Sequence, residues 1–261
     1  MEPAVVLEAR ELSVGYGSHA VISGITVSVR RGERWAVLGP NGAGKSTLMR
    51  TLLGIQPALA GEVRVLGRAV QDWPRRALSQ VVAWVPQHFD PPEGFTGLEL
   101  VLMGRSPHLG LWGLAGAHEE ARAREVLREL GAEVLADRPV GAMSGGEQRL
   151  LALARGLLQA AGLLLLDEPT AFLDLRHQLE TLERVAAHAA KGVAAVCVLQ
   201  DVNLAQAWAS HLLLVGEGHV VAAGPAAELL DAATLSRLYG VGIESGVTPG
   251  GRRLFAPRSL R

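Results

Sequence analysis

The stretch RWAVLGPNGAGKSTLMRTLL, residues 34–53, decides the fold. It opens as a short apolar strand, passes through a glycine-rich turn and closes in a run of helix formers. The turn reads G-x-x-x-x-G-K-[ST], with Gly39, Gly42, Gly44, Lys45 and Ser46 in the required places. Glycines let the chain close tightly with its backbone N–H groups aimed at one anion, and the helix that follows adds the positive end of its dipole. A phosphate chain is the natural ligand. Lys45 then lies against the β- and γ-phosphates, the Ser46 hydroxyl joins Mg²⁺, and Thr47 bonds a further phosphate oxygen. The chain holds only two lysines, Lys45 and Lys191, among 25 lysines and arginines. Composition favours arginine at position 45, so the lysine marks a need for a compact, point-like ammonium.

Outward from this turn, strand-like runs recur as VVLEA, ITVSV, RWAVLG, GEVRVLG, VVAWVP, GLLLLDE, VAAVCVL and HLLLV, with helix-like segments between most of the later ones. This is the alternation of a layered α/β domain. Several of the runs are apolar throughout, as parallel strands covered on both faces are. Between Pro86 and Leu163 the pattern becomes helix-rich and punctuated by glycine. It includes AHEEARAREVLREL, residues 117–130, with Val126, Leu127 and Leu130 on one face. A helical subdomain inserted at about 88–160 is expected within a single domain with its core at about 4–240. Residues 241–261 form a tail in which GVTPGGRR is the turn of a short hairpin or a free end.

Bulk properties exclude several function classes. The formal net charge is −1 over 261 residues, 49% of them hydrophobic, so there is no basic footprint for nucleic acid. The single cysteine, Cys197, sits in an apolar run and reads as a small buried hydrophobe, which fits a reducing compartment. The N-terminus lacks a basic region followed by an apolar segment, so no secretory signal is expected and a cytoplasmic location is. The most apolar stretch, residues 150–166, is interrupted by Arg155 and Gln159 and ends in two carboxylates, unlike a membrane span of ~20 residues. Any membrane role therefore needs a separate membrane subunit.

Those two carboxylates, Asp167 and Glu168, end the strand of GLLLLDEPT. Burying them unpaired would be very costly, so a solvated or metal-filled cleft is expected there. Asp167 is placed to hold Mg²⁺ through water, and Glu168, one residue on, to polarise an attacking water beside a γ-phosphate. A solvated acidic turn before Pro169 is the bland alternative.

With these motifs together, the chain resembles the ATP-binding cassette (ABC) family along nearly its whole length. GPNGAGKST is similar to the Walker A of that family, VPQ to its Q-loop, MSGGEQ to its signature, LLLLDEPT to its Walker B and AFLD to its D-loop. The resemblance implies a P-loop NTPase core with a mainly parallel sheet, an N-terminal antiparallel β subdomain and an inserted helical subdomain. It implies ATP bound by Gly39, Pro40, Asn41, Gly42, Ala43, Gly44, Lys45, Ser46 and Thr47, with Tyr16 stacked on adenine and Gln87 at the γ-phosphate. Mg²⁺ falls to Ser46, Gln87 and Asp167, and catalysis to Glu168 with Gln200.

Ser144, Gly145 and Gly146 open a second helix whose N-terminus is rich in free N–H groups. In ABC proteins this signature, here with Glu147, faces the ATP of a partner subunit in a head-to-tail homodimer, with the D-loop ending at Asp174. The signature departs from the common pattern at Met143, Glu147 and the order Gln148-Arg149. Within the family, MGRSPHLGLWG, residues 103–113, and DEPTAFLDLRHQLETLE look like importers of iron-siderophore, haem or cobalamin. The chain is then an ATP-hydrolysing subunit on the cytoplasmic face of the cell's inner membrane. Its partners are permease subunits and, indirectly, a substrate-binding protein; no nucleic acid is involved. A nucleotide-gated module with very slow turnover and a soluble, non-transport ABC ATPase are the alternatives. His108 reads as an ordinary loop residue, since no Cys or carboxylate cluster accompanies it.

One position breaks the pattern. The family usually ends the strand after Cys197 with histidine, and this chain reads VLQDVNLA, with Gln200 in that place. A carboxamide can donate to the γ-phosphate but carries no charge and relays no proton, so slower hydrolysis is expected.

Overall fold

The computed structural model describes residues 3–91, 93–109, 115–159, 161–171 and 173–258. In chain order the elements are β1 (Val5–Tyr16), β2 (His19–Arg30), β3 (Arg34–Leu38), α1 (Lys45–Leu52), β4 (Ala60–Val65), β5 (Arg68–Ala69), α2 (Arg75–Val81), β6 (Val82–Val85), α3 (Gly97–Leu102) and α4 (Ala117–Glu129). There follow α5 (Gly145–Leu158), β7 (Leu163–Asp167), α6 (Leu175–Ala190), β8 (Ala194–Val198), α7 (Val202–Trp208), β9 (His211–Gly216), β10 (His219–Pro225), α8 (Ala226–Leu229), α9 (Ala232–Tyr239), β11 (Ile243–Val247) and β12 (Arg253–Pro257). The chain is a mixed α/β protein, and no helix among the described residues is long and apolar enough to cross a membrane.

Two compact units divide the chain: Met1–Gln71 with Val196–Arg261, and Asp72–Ala195. In the first, strands bond in the order β5-β4-β1-β2-β10-β9-β3. β1 runs antiparallel to β2 and to β4, and β3 runs parallel to β9. The difference follows from burial. β9 is apolar and buried along LLLVG, whereas β1 and β2 mix buried and exposed positions as strands with a wet face do. Val6, Leu12, Ile22 and Ile25 fill the core under β1 and β2. Cys197 is buried, as its apolar surroundings predict.

The second unit pairs β6 and β7 in parallel, every residue of β7 being buried. Against β6 lies α5, close enough that a Cβ at Gly156 would come within 2.8 Å of Val85 Cγ2. Helix α4 forms where AHEEARAREVLREL predicts it, burying Ala123 and Leu127, and Leu130 just beyond its end is buried too. Val126 is only half-buried. α6 buries Thr181, Leu182, Val185 and Ala189, a stripe at helical spacing.

Candidate active site

In the first unit, β3 can lead into the phosphate loop only because position 39 lacks a side chain. A Cβ on Gly39 would lie 2.1 Å from the Val215 carbonyl oxygen of β9. The loop then turns through Gly42 and Gly44, at φ 80° and 90°, conformations that glycine adopts without penalty. Gly44 caps α1 without any side-chain hydrogen bond, so the first turn of α1 offers its N–H groups to an anion.

Lys45 is buried, and its ammonium donates to the carbonyls of Gly39 at 2.8 Å and Pro40 at 2.9 Å. The cation is thereby held over the loop, where a phosphate competes with those carbonyls for its N–H groups. The Thr47 hydroxyl, expected on a phosphate oxygen, donates to the Tyr16 hydroxyl at 3.2 Å. Tyr16 ends β1 opposite His19 and is 56% exposed. Its ring is fastened by one edge beside the loop and free on the solvent side, which suits stacking on a flat base.

Gln200 arrives at the same place. Leu199 donates its N–H to Val37 of β3 at 3.2 Å, so Gln200 leaves β8 beside the strand end that opens into Gly39. Asp201 then starts α7, its carboxylate accepting from the N–H groups of Asn203 at 2.7 Å and Leu204 at 3.1 Å.

In the second unit, β7 delivers Asp167 and Glu168, both buried. Glu168 sits at φ 51°, a left-handed conformation that a non-glycine residue adopts at a cost and that is concentrated at functional sites. The Gln87 side-chain amide donates to Glu168 Oε2 at 2.9 Å. With its nitrogen so engaged, the Gln87 amide leaves its oxygen as the remaining acceptor. That carbonyl and the Asp167 carboxylate in this unit, like the Ser46 hydroxyl in the first unit, are hard oxygen donors of the kind Mg²⁺ takes. Among the described residues no three His, Cys, Asp or Glu side chains gather into a metal cluster.

Arg149 holds this half together. From α5 its guanidinium donates to the carbonyl of Ala171 at 2.7 Å and to the carbonyl of Gln87. Burial pushes the Arg149 guanidinium below its ordinary value, with the charges of Glu168 and Asp167 opposing. Sequence reading sees here only an altered residue order, because both partners are carbonyls distant along the chain.

The signature begins α5 as a closed capping box. Ser144 accepts from the Glu147 N–H at 3.3 Å, and Glu147 Oε2 accepts from the Ser144 N–H at 2.7 Å and hydroxyl at 2.9 Å. Arg138 donates to the other carboxylate oxygen at 2.6 Å. The Ser144 N–H first, then Arg138 and the Ser144 hydroxyl, hold the Glu147 carboxyl below the usual carboxylate range. The spacing S-x-x-E announces this box in the sequence. Asp174 caps α6, accepting from the His177 N–H at 2.9 Å and from its ring at 2.8 Å. Ser144, Gly146, Glu147, Leu173, Asp174 and His177 border one cavity of about 340 Å³.

The SPH segment is anchored by its backbone. Pro107 accepts from Arg76 at 3.2 Å and Gln80 at 2.8 Å, and the His108 ring donates to the Gln159 carbonyl at 2.8 Å. Residues 110–113 of MGRSPHLGLWG and Phe172 of AFLD lie outside the described residues.

The family model described as ABC transporter matches residues 22–171. The hemin import ATP-binding protein of Streptomyces coelicolor is 43% identical over 240 residues, 92% of this chain and 85% of that protein. The ferric enterobactin transport ATP-binding protein of Escherichia coli is 34% identical over 92% of this chain and 89% of its own length. Among solved structures, a transporter assigned to the metal-chelate type, in an inward-facing conformation, superposes with a TM-score of 0.85. It is 27% identical and covers 98% of this chain and 99% of its own.

Proposed function

Since the chain belongs to the ABC transporter family, we propose that it is the ATP-binding and ATP-hydrolysing subunit of an importer for chelated iron. The observation that carries the hydrolytic half is the 2.9 Å hydrogen bond from Gln87 to Glu168, a carboxylate held on a strained backbone at the end of β7. The importer half is supported by relatives named for hemin import, ferric enterobactin transport and iron(3+)-hydroxamate import, each matching more than nine-tenths of this chain.

In this reading, ATP enters with its base on Tyr16 and its phosphates on the N–H groups of the loop. Lys45 exchanges the carbonyls of Gly39 and Pro40 for phosphate oxygens. Glu168 takes a proton from the attacking water, and Gln87 keeps its carboxylate aimed. Gln200 donates to the γ-phosphate without carrying charge. Mg²⁺, held by Ser46, Gln87 and Asp167, would supply neutralisation of the charge that develops on the phosphates. The signature at Ser144–Glu147 and the D-loop Asp174 meet the ATP of a second copy, so that ATP, which reaches both faces, closes the dimer and ADP does not. Permease subunits receive that motion on the cytoplasmic side of the membrane, and a substrate-binding protein delivers the cargo.

The test is purification of the chain with its co-expressed permease subunits. The complex is expected to hydrolyse ATP, and Glu168→Gln is expected to abolish turnover and trap an ATP-dependent dimer. A Glu168→Gln chain that stays monomeric at saturating ATP contradicts the reading.

A further inference from the structure

The C-terminal hairpin has no part in the function described so far, yet it is tied to the residue that follows Gln200 by three. The Asn203 side chain makes two bonds to one backbone site on β12. Its amide donates to the Phe255 carbonyl at 3.1 Å, and its oxygen accepts from the Phe255 N–H at 2.9 Å. This is the pairing a neighbouring strand would make, supplied by a side chain from the first turn of α7. Phe255 is the only residue of β11 and β12 that is buried, at 7% exposure, whereas Val247 is 71% exposed.

A two-stranded hairpin is marginal in water on its own, so its position depends on such anchors. The others are Arg253, donating to the Leu230 carbonyl at 2.9 Å, and the Ile243 N–H, donating to the Ser236 hydroxyl at 2.8 Å.

We infer that the C-terminal hairpin is a positioning element for Gln200, acting through the paired bonds between Asn203 and Phe255. The chain from Gln200 to Asn203 turns at Asp201, which is itself fixed as the cap of α7. Holding Asn203 therefore fixes where β8 releases its polar residue. A neutral carboxamide depends on such placement more than a charged ring does, because its attraction to phosphate is short-ranged and directional. The inference rests on the reading of Gln200 as the γ-phosphate donor.

The experiment uses the full-length chain in its transporter complex, with kcat and KM for ATP measured for Asn203→Ala, Phe255→Ala, Phe255→Leu, Gln200→Ala and the double variant Gln200→Ala with Asn203→Ala. Displacing a catalytic contact by about 1 Å costs up to ~10²-fold. Asn203→Ala and Phe255→Ala are expected to lower kcat about ten-fold with KM changed less than about two-fold, and Phe255→Leu to restore most of it. In the Gln200→Ala background, Asn203→Ala is expected to add nothing. An equal loss in both backgrounds, which a general loosening of the fold would give, overturns the inference. So does wild-type turnover in Asn203→Ala. Wild-type turnover in Gln200→Ala overturns the reading of Gln200 and the inference with it. Should Asn203→Ala fail to fold, Asn203→Asp keeps the acceptor for the Phe255 N–H and sets a carboxylate oxygen against the Phe255 carbonyl where the donor stood. It is expected to show the same kcat effect, again absent without Gln200.

Discussion

Replacing Glu168 by alanine and, separately, by glycine separates the cost of its backbone conformation from everything its side chain does. Both changes remove the carboxylate and its 2.9 Å bond from Gln87, so those losses cancel in the comparison. What remains is φ 51° at position 168. The left-handed region costs a residue with a Cβ roughly 1–2 kcal/mol, which glycine escapes. Glycine loses about 0.4–1 kcal/mol through its greater freedom in the unfolded chain. The balance leaves Glu168→Gly more stable than Glu168→Ala by about 0.5–1 kcal/mol, or roughly 1–4 °C in melting temperature for a domain of this size. At an ordinary helix or strand position the order is the reverse, so the sign alone decides. Thermal unfolding of the two full-length variants without nucleotide is the assay, and both are expected to lack ATPase activity. Equal stability, or a higher melting temperature for alanine, refutes the claim that the strand end is strained where it presents its carboxylate.

Other outcomes follow from the same geometry. Gln200→His is expected to raise ATP turnover of the assembled complex, by up to the ~10²–10³-fold that one transition-state donor is worth elsewhere; an unchanged steady-state rate shows that glutamine does not limit this ATPase. Arg149→Ala leaves the carbonyls of Gln87 and Ala171 without that guanidinium and is expected to destabilise by about 1–3 kcal/mol in urea unfolding. Arg149→Lys, which cannot reach two carbonyls in fork geometry, should recover only part. One of the two tyrosines is expected to resist ionisation until about pH 12 in an ultraviolet titration, and Tyr239→Phe to remove that late phase. Because the folded value of Tyr239 is raised above 10, its contribution to stability is complete below pH 10. It is lost as the pH climbs from 10 through about 12, so the Tyr239→Phe chain should keep more of its stability above pH 10 than the parent chain does. At the acid end, the lowered carboxyls of Glu147 and Asp174 keep their caps intact above the ordinary carboxylate range. Melting temperature should therefore fall only as the pH drops below about 4.

Much of this was legible in the sequence because it is local. The phosphate loop, the buried strands and the two carboxylates at a strand end are each specified within about twenty residues, and the apolar runs predict β1, β3, β6, β7, β8 and β9 where they lie. β10 is harder to read. HVVAAGP has no buried residue, being half-buried or exposed at every position, with a glycine near its end and only two β-branched residues, so neither a two-residue alternation nor an apolar run stands out. The hairpin was signalled by its turn, GVTPGGRR, but not its anchorage. Asn203 and Phe255 meet across 52 residues, as Arg149 meets Gln87 across 62, and a side chain that bonds a distant carbonyl leaves no pattern in composition or spacing. Nor does a backbone angle, so the conformation of Glu168 is visible only in the folded chain.

The capping box at Ser144 has a kinetic consequence for assembly. Its hydroxyl, its N–H and the Glu147 carboxylate are already mutually bonded in the single chain, with Arg138 bracing the far side. In the proposed dimer, a second copy approaching this face meets a helix start that is already bonded, so the residues of this box pay no ordering entropy on association. Encounter should then proceed at the ~10⁵–10⁷ M⁻¹ s⁻¹ typical of rigid docking. The lifetime of the pair, rather than the speed of its formation, becomes the quantity that nucleotide controls.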